Sequence, residues 1–344
     1  MIIEKQPFGQ TKDGKEVDLY ILKDSGYIVE IITYGAAIRS IHVPVAGGMR
    51  DVALGYDDVA GYEYGKSCHG VIIGRVANRI ADAKYEMDGV TYYLDANDGT
   101  GCIHGGFNGY DKRVWSAEEQ QNALVLTLID TEGSSAGFPG SLEVKTKYTL
   151  DNGELGIEFT ATSDKDTPIN LTSHCYFNLA GHDTGNIENH KMQIFSHKIT
   201  EVDETQTSTG ELLDVTGTPL DLRELTLLGP GLAESCPQMD IGHGYDHNWV
   251  LSNEPYRPLA IAAVTECDGL SMTCLTTKPG VQFYSGNMIA DETGKGGARY
   301  TKRSGLCLET QYWPNSVNIL KFPAPVLRKG EVYNHKTVYR FREV

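Results

Sequence analysis

The chain has 344 residues, of which 40% are hydrophobic and 22% charged, a composition that is ordinary for a folded globular protein. Its formal net charge of −16 argues against a nucleic-acid partner or an anionic membrane surface, because both require a basic contact region. No run of about eighteen apolar residues occurs, which excludes an ordinary transmembrane helix.

The cysteines and the first residues indicate the compartment. Seven cysteines are scattered along the chain, odd in number and without a Cys-x-x-Cys pair, which is not the pattern of a disulfide framework or a zinc ribbon. Residues 1–10 lack the extended apolar core of a signal peptide. We therefore expect a cytoplasmic protein.

Signals for β-strands dominate the chain from its N-terminus onward. Short runs rich in β-branched and aromatic residues predict strands, and the run at 142–148 alternates between apolar and polar residues as a half-buried strand does. The predicted strands cover residues 27–34, 123–129, 142–148, 259–264 and 337–341.

Two dipeptides predict tight hairpins. Asp88-Gly89 separates residues 84–87 from 90–94, and Asn152-Gly153 separates the strand at 142–148 from residues 155–159. Both dipeptides tolerate the positive φ angles of a two-residue hairpin turn.

The remaining segments are polar connections, and the longer ones lie near 181–190, 203–211 and 229–244. Amphipathic helical windows are scarce, and neither an internal repeat nor a clean linker is visible. The sequence therefore predicts an all-β fold, a large antiparallel β-sandwich that forms a single domain over residues 1–344.

Three familiar motifs are nearly present but fail in detail. Gly65-Lys-Ser resembles the end of a phosphate-binding loop, but position 60 is alanine where the first glycine is required. Gly99-Thr-Gly begins like a dinucleotide fingerprint, but His104 replaces its third glycine. His243 and His247 have the spacing of metal ligands on a helix, but Gly244 between them indicates a turn, so we predict no metal site there.

Six short polar segments then remain as candidates for a functional site. They are Gly-Arg-Val-Ala-Asn-Arg-Ile at 74–80, Ile-His-Gly-Gly at 103–106, Asn-Leu-Thr-Ser-His-Cys-Tyr-Phe-Asn-Leu at 170–179, Gly-Tyr-Asp-His-Asn at 244–248, Pro-Gly-Val-Gln-Phe-Tyr at 279–284 and Leu-Glu-Thr-Gln at 308–311.

Each candidate also has a purely structural interpretation. His174 lies in an uncharged, largely apolar run, where a histidine is either a satisfied core residue or a shielded proton-transfer group. The structural alternatives for the others are a surface ion pair for Arg79, a turn with a ring nitrogen bonded to the backbone for His104, an Asx-turn for Asp246, and a solvent-facing strand position for Gln282 and Glu309.

Taken together and in this order, the six segments resemble the aldose 1-epimerase (galactose mutarotase) family over nearly the whole chain. No single segment is specific, whereas the series is. The chain departs from the family pattern at Ile103, Cys175 and Asn315, none of which the resemblance marks as reactive. The resemblance implies a galactose mutarotase-like supersandwich and the interconversion of the α and β anomers of free aldoses such as glucose or galactose.

The resemblance also implies roles for single residues. Glu309 would be the catalytic base and His174 the acid, and His104 would bond a substrate oxygen and stabilise charge on it. The sugar hydroxyls would be oriented by Asn78, Arg79, Asp246 and Gln282, with Tyr176 in the wall of the site. A carboxylate is ionised at neutral pH, and an imidazolium is expected to donate without a large pKa shift.

The reaction itself limits what else the protein needs. Proton removal from the C1 hydroxyl and proton delivery to the ring oxygen are sufficient for ring opening, so we expect no metal, nucleotide cofactor or covalent intermediate. The expected partner is a small-molecule aldose, with no nucleic acid and no membrane. Either a monomer or a homodimer is compatible with the sequence.

Three other functions remain open at this level. A glycoside hydrolase could use Asp246 with Glu309 as its carboxylate pair. A non-catalytic sugar-binding module would keep the fold but lose the acid or the base. A hexose-6-phosphate epimerase would need an additional basic cluster for the phosphate.

Overall fold

Antiparallel β-sheets form most of the protein. The computed structural model describes residues 1–344, of which 47% lie in strands and 8% in helices. The strands assemble into sheets of nine, six and five strands and five two-stranded pairs, and all paired strands are antiparallel. The predicted all-β class is confirmed. None of the helices has the length and apolar character needed to cross a membrane.

The three sheets have simple orders. The N-terminal sheet follows the chain through Ile2–Gln10, Glu16–Asp24, Tyr27–Ile32, Ile38–Val45 and Gly48–Asp51. The large sheet has the order Ser116–Gln120, Ala123–Asp130, Leu142–Asp151, Glu154–Ser163, Tyr333–Glu343, Leu270–Thr276, Ala260–Cys267, Lys191–Ile194 and Thr226–Leu227. A third sheet, which we call the site sheet, has the order Tyr176–Phe177, Leu306–Gln311, Gly280–Tyr284, Asp246–Val250, Lys198–Val202 and Ser208–Asp214.

Short elements complete the fold. The two-stranded pairs are Ile72–Ile73 with Thr172–Ser173, Arg79–Ile80 with Cys102–Ile103, Lys84–Met87 with Val90–Tyr93, Thr167–Pro168 with Val326–Leu327, and Glu292–Thr293 with Arg299–Tyr300. The α-helices are Val59–Tyr64, Leu228–Ala233 and Pro237–Gly242, and the 3₁₀ turns are Ala81–Ala83, Tyr110–Lys112 and Lys295–Gly297.

The large sheet and the site sheet pack face to face. The Phe177 ring of the site sheet lies 4.9 Å from the Tyr339 ring of the large sheet, and the Tyr339 hydroxyl donates a hydrogen bond of 2.8 Å to the Leu308 carbonyl. These contacts belong to a cluster of 55 buried hydrophobic residues that draws on all three sheets. The arrangement is the predicted sandwich.

The two expected hairpins are present. Met87 pairs with Val90 across Asp88-Gly89, and Asp151 pairs with Glu154 across Asn152-Gly153. Two expected polar connections contain regular structure, because Ser208–Asp214 is a strand and the segment 229–244 includes most of the helix Leu228–Ala233 and all of the helix Pro237–Gly242. The helical segments are too short for periodicity to reveal them, and the strand sequence Ser-Thr-Gly-Glu-Leu-Leu-Asp does not alternate apolar and polar residues.

Candidate active site

One face of the site sheet gathers polar side chains from four strands. Tyr176, Cys307, Tyr284 and Asp246 lie in register in one row across the sheet. Because residues opposite each other in an antiparallel ladder share a face, these side chains point to the same side. Glu309, Gln282 and Asn248 form the next row on the same face.

In the strand Leu306–Gln311, alternate residues separate the polar face of the site sheet from the sandwich core. Successive side chains of a strand point to opposite faces, so Cys307, Glu309 and Gln311 lie on the polar face and Leu306 and Leu308 lie in the sandwich core. All six residues of this strand are buried. Glu309 is only 2% exposed, which rules out the solvent-facing position.

The two-stranded pair of Arg79–Ile80 with Cys102–Ile103 brings Asn78, Arg79 and His104 over this face. Arg79 pairs with Ile103, which places Asn78 and His104 side by side. The chain then turns sharply at Gly105, whose φ is +84° and where an added Cβ would lie 2.1 Å from the Gly74 carbonyl oxygen. Glycine is therefore required at this position to hold His104 over the sheet.

The sheet face and the loops enclose a cavity of about 180 Å³. This is smaller than the roughly 300–1,000 Å³ of pockets for drug-sized ligands, so it suits a small molecule. Its lining includes seven of the predicted site residues: Asn78, Arg79, His104, His174, Tyr176, Asp246 and Glu309. The eighth, Gln282, does not line the cavity but donates a hydrogen bond to Asp246, which does. The sequence did not single out Lys66, Ser67, Cys68, Gln206, Tyr284 or Met288, which also line it.

His174 and Glu309 form a close pair at the floor of the cavity. Nε2 of His174 lies 3.7 Å from Oε1 of Glu309, and both side chains are buried. Burial lowers the pKa of His174 to about 4. Burial, together with the neighbouring Asp246 carboxylate, raises the pKa of Glu309 well above its ordinary value. The expectation that both groups would keep near-ordinary pKa values is therefore wrong, because neither is in contact with enough water to stabilise its charged form.

His104 presents a hydrogen-bond donor to the cavity. The backbone N–H of Asn78 donates to Nδ1 of His104 over 3.2 Å, so Nδ1 carries a lone pair. Burial lowers the His104 pKa well below its usual value, so the ring is neutral and its proton lies on Nε2. The turn interpretation of His104, with a ring nitrogen bonded to the backbone, is therefore correct as well, and this contact fixes the tautomer.

The same tautomer bears on metal binding. One ring nitrogen of each histidine and a Glu309 oxygen lie within 4.8 Å of one another, a grouping that could hold a metal ion. A metal ligand must offer a lone pair, whereas Nε2 of His104 carries a proton while Nδ1 accepts from Asn78. The hydrogen bonds of this trio therefore suit an oxygen-rich organic ligand better than a cation.

Arg79 is oriented by two partners and keeps free donors. Its Nε donates to Asp98 and its Nη2 to Gln206, each over 2.7 Å. Asp98 is partly exposed, so the predicted surface ion pair exists as well. Nη1 makes no hydrogen bond to the protein and remains available at the cavity. Gln206 comes from an irregular loop and carried no sequence signal.

Asp246 is held by a relay of amides. Gln282 donates from Nε2 to Oδ1 of Asp246 over 2.7 Å, and Gln311 donates to Oε1 of Gln282 over 3.2 Å. Gln282 is 4% exposed, so it does not point outward into solvent. The Asp246 carboxylate accepts from Gln282 and makes no Asx-turn bond. Gln311 belongs to the Leu-Glu-Thr-Gln segment, but its contribution is visible only in three dimensions.

The chain is similar to known proteins over nearly its whole length. The family model described as Aldose 1-epimerase matches residues 18–340. The galactose mutarotase of Mus musculus is 39% identical over 98% of this chain and 98% of its own, and the aldose 1-epimerase of Escherichia coli K12 is 34% identical over 96% of each.

Solved structures are similar over the same range. An aldose epimerase homologue from C. elegans superposes with a TM-score of 0.86 at 26% identity and covers 94% of this chain and 98% of its own. A galactose 1-epimerase from Lactobacillus acidophilus shares the fold with the same TM-score at 24% identity, covering 99% of each chain. The chain therefore belongs to the aldose 1-epimerase family and is an isomerase that interconverts the anomers of aldoses.

Proposed function

We propose that Glu309 and His174 perform the proton transfers of this reaction. Glu309 removes the proton from the C1 hydroxyl while His174 delivers one to the ring oxygen, and the ring opens to an aldehyde. C1 then rotates about its bond to C2, and closure on the other face with the roles exchanged gives the other anomer. The observation that carries this assignment is the 3.7 Å separation of His174 Nε2 and Glu309 Oε1 on the floor of the cavity.

This separation suits the chemistry of a hemiacetal. The C1 hydroxyl oxygen and the ring oxygen are bonded to the same carbon, so two adjacent protein groups can each meet one of them. The raised pKa of Glu309 and the lowered pKa of His174 favour a resting pair in which both are neutral. That pair holds the same number of protons as imidazolium with carboxylate. In the neutral pair Glu309 is the acid and His174 the base, so a proton first passes from Glu309 to Nε2 of His174, and Glu309 can then take the proton of the C1 hydroxyl.

The other residues bind and orient the sugar. His104 donates from Nε2 to a substrate oxygen and stabilises negative charge that develops there. Asn78, Arg79 and Asp246 bond the hydroxyls, and charge makes the bonds of Arg79 and Asp246 shorter and stronger than neutral ones. Tyr176 forms a wall of the site. Gln282, which is hydrogen-bonded to Asp246, contributes by holding that carboxylate in place.

We propose that residues 1–344 act as a single domain, supported by the hydrophobic cluster that all three sheets share. Seven free cysteines support a cytoplasmic location, where thiols stay reduced. The reaction needs no cofactor, the substrate is a free aldose such as glucose or galactose, and the protein acts as a monomer or homodimer.

The cavity favours a free sugar over a sugar phosphate. Apart from the histidines, its basic side chains are Lys66 and Arg79, and Arg79 is already paired with Asp98. A phosphate group would require a stronger concentration of positive charge. A non-catalytic sugar-binding module is not supported either, because the acid and the base are both present and adjacent.

Polarimetry over a panel of sugars tests the proposal. Freshly dissolved α-glucose, α-galactose, xylose and glucose 6-phosphate are compared, with a methyl glycoside as the control that cannot open its ring. We expect accelerated mutarotation of free aldoses, weak activity on the phosphate and no cleavage of the glycoside. Preferential action on the phosphate, or release of methanol from the glycoside, would contradict the proposal.

A further inference from the structure

We propose that Cys307 is a positioning residue that keeps a proton on Nδ1 of His174, so that only Nε2 exchanges protons with the substrate. This inference rests on the proposed role of His174 as the acid. It assigns a function to a thiol that does not line the cavity and that the sequence did not single out.

The contact is specific in its geometry. Sγ of Cys307 lies 3.5 Å from Nδ1 of His174, and no other side chain forms a hydrogen bond with that nitrogen. Cys307 is fully buried, and it lies two residues before Glu309 on the same face of one strand. A single strand therefore contacts both ring nitrogens, Nδ1 through the thiol and Nε2 through the carboxylate.

The chemistry of imidazole requires such a partner. When Nε2 delivers its proton, the neutral ring that remains has its single N–H on Nδ1. A buried N–H without an acceptor costs about 1–3 kcal/mol, and this cost would resist each delivery. Burial and the nearby Glu309 carboxylate raise the pKa of the Cys307 thiol, so it stays neutral and its sulfur accepts weakly from Nδ1–H.

The absence of charge on the thiol matters as much as its position. A carboxylate bonded to Nδ1 would stabilise the imidazolium and raise its pKa, which would make it a poorer acid. A neutral thiol holds the ring in place without adding charge. It thus leaves His174 with the low pKa of about 4 that burial imposes.

Three substitutions at Cys307 separate these effects, with Cys175→Ala as the matched control. Cys175 is equally buried and adjacent to His174 in the chain, but it belongs to the sandwich core. We expect Cys307→Ala to lower kcat at least about 10-fold with KM within about twofold, because an orienting partner is lost. Cys307→Ser, which retains an acceptor, should recover most of that loss, and Cys175→Ala should keep the wild-type kcat.

The pH profile provides a readout that a packing role would not change. Cys307→Asp places a carboxylate against Nδ1 and should move the titration of kcat assigned to His174 to higher pH by about one unit or more. Wild-type kcat and an unchanged pH profile in Cys307→Ala and Cys307→Asp would overturn the inference. A wild-type rate in His174→Asn would instead contradict the proposed acid, so the two failures are distinguishable.

Nitrogen NMR of the wild-type protein tests the tautomer without any change at Cys307. In the unliganded protein labelled with ¹⁵N-histidine, the signals missing from His174→Asn assign the ring. We expect a protonated Nδ1 and an unprotonated Nε2 in the neutral ring. A proton on Nε2 with a bare Nδ1 would overturn the inference even if every Cys307 variant misfolded.

Discussion

Nε2 of His174 lies 3.7 Å from Oε1 of Glu309, although the two residues come from distant parts of the chain. The sandwich brings them together because Leu306–Gln311 lies inside the site sheet beside Tyr176–Phe177, just after His174. In this environment burial shifts the pKa values of both groups toward their neutral forms. Their adjacency leads to the first prediction.

Glu309→Gln and His174→Asn should each lower turnover by at least about 10²-fold, because each removes one proton-transfer group. Polarimetry of freshly dissolved α-glucose or α-galactose measures the effect. His190→Asn is the matched control, since it removes another fully buried imidazole outside the cavity. Near-wild-type rates in both site variants would contradict the assignment of acid and base.

Removal of metal ions should leave the activity intact. The Nε2 proton that the Asn78–His104 contact fixes makes this ring a donor toward the cavity. We therefore expect enzyme treated with EDTA and dialysed to mutarotate at the original rate. Activity that is lost on this treatment and returns with an added divalent ion would show that the cofactor-free mechanism is wrong.

Arg79→Lys should raise KM about 10-fold with a smaller effect on kcat, since lysine cannot reproduce the forked geometry that contacts Asp98 and Gln206. Initial rates over a range of aldose concentrations separate the two constants. Arg223→Lys is the control, because Arg223 pairs in the same forked way with Asp221 at the surface. An unchanged KM in Arg79→Lys would remove Arg79 from the binding residues.

Stability should fall as the pH drops from about 6.5 toward 4. Burial lowers the pKa of seven histidines, for example that of His190 to about 4, so in this range the unfolded chain binds protons that the native protein cannot. Each fully shifted group costs about 1.4 kcal/mol per pH unit. The three carboxyl groups with raised pKa values, Asp111, Asp246 and Glu309, act in the opposite direction but are fewer.

Urea unfolding at a series of pH values measures this dependence. The free energy of unfolding should decrease over this range in the wild type, and His190→Asn should show a shallower decrease because one buried titrating group is gone. A free energy of unfolding that stays constant between pH 6.5 and 4.5 would contradict the prediction.

Local sequence determined the features that depend on neighbouring residues. Asp88-Gly89 and Asn152-Gly153 form hairpins because their backbones accept positive φ angles, and short runs of β-branched and aromatic residues became strands. The short helix Pro237–Gly242 was missed because six residues do not establish a helical period, and the strand Ser208–Asp214 was missed because its sequence does not alternate apolar and polar residues.

In the candidate site as well, some features follow from the sequence and others only from the tertiary structure. The sequence by itself determined which side chains are available, since seven of its eight candidates line one cavity and the eighth, Gln282, donates a hydrogen bond to Asp246. Only the tertiary structure decided the tautomers, the pKa values and the hydrogen-bond partners of those side chains. The proton position on His104, the pKa values of His174 and Glu309, and the Cys307 contact all depend on burial and on neighbours that are remote in the chain. Desolvation and hydrogen bonding act over a few ångströms in space, and a linear sequence does not contain those distances.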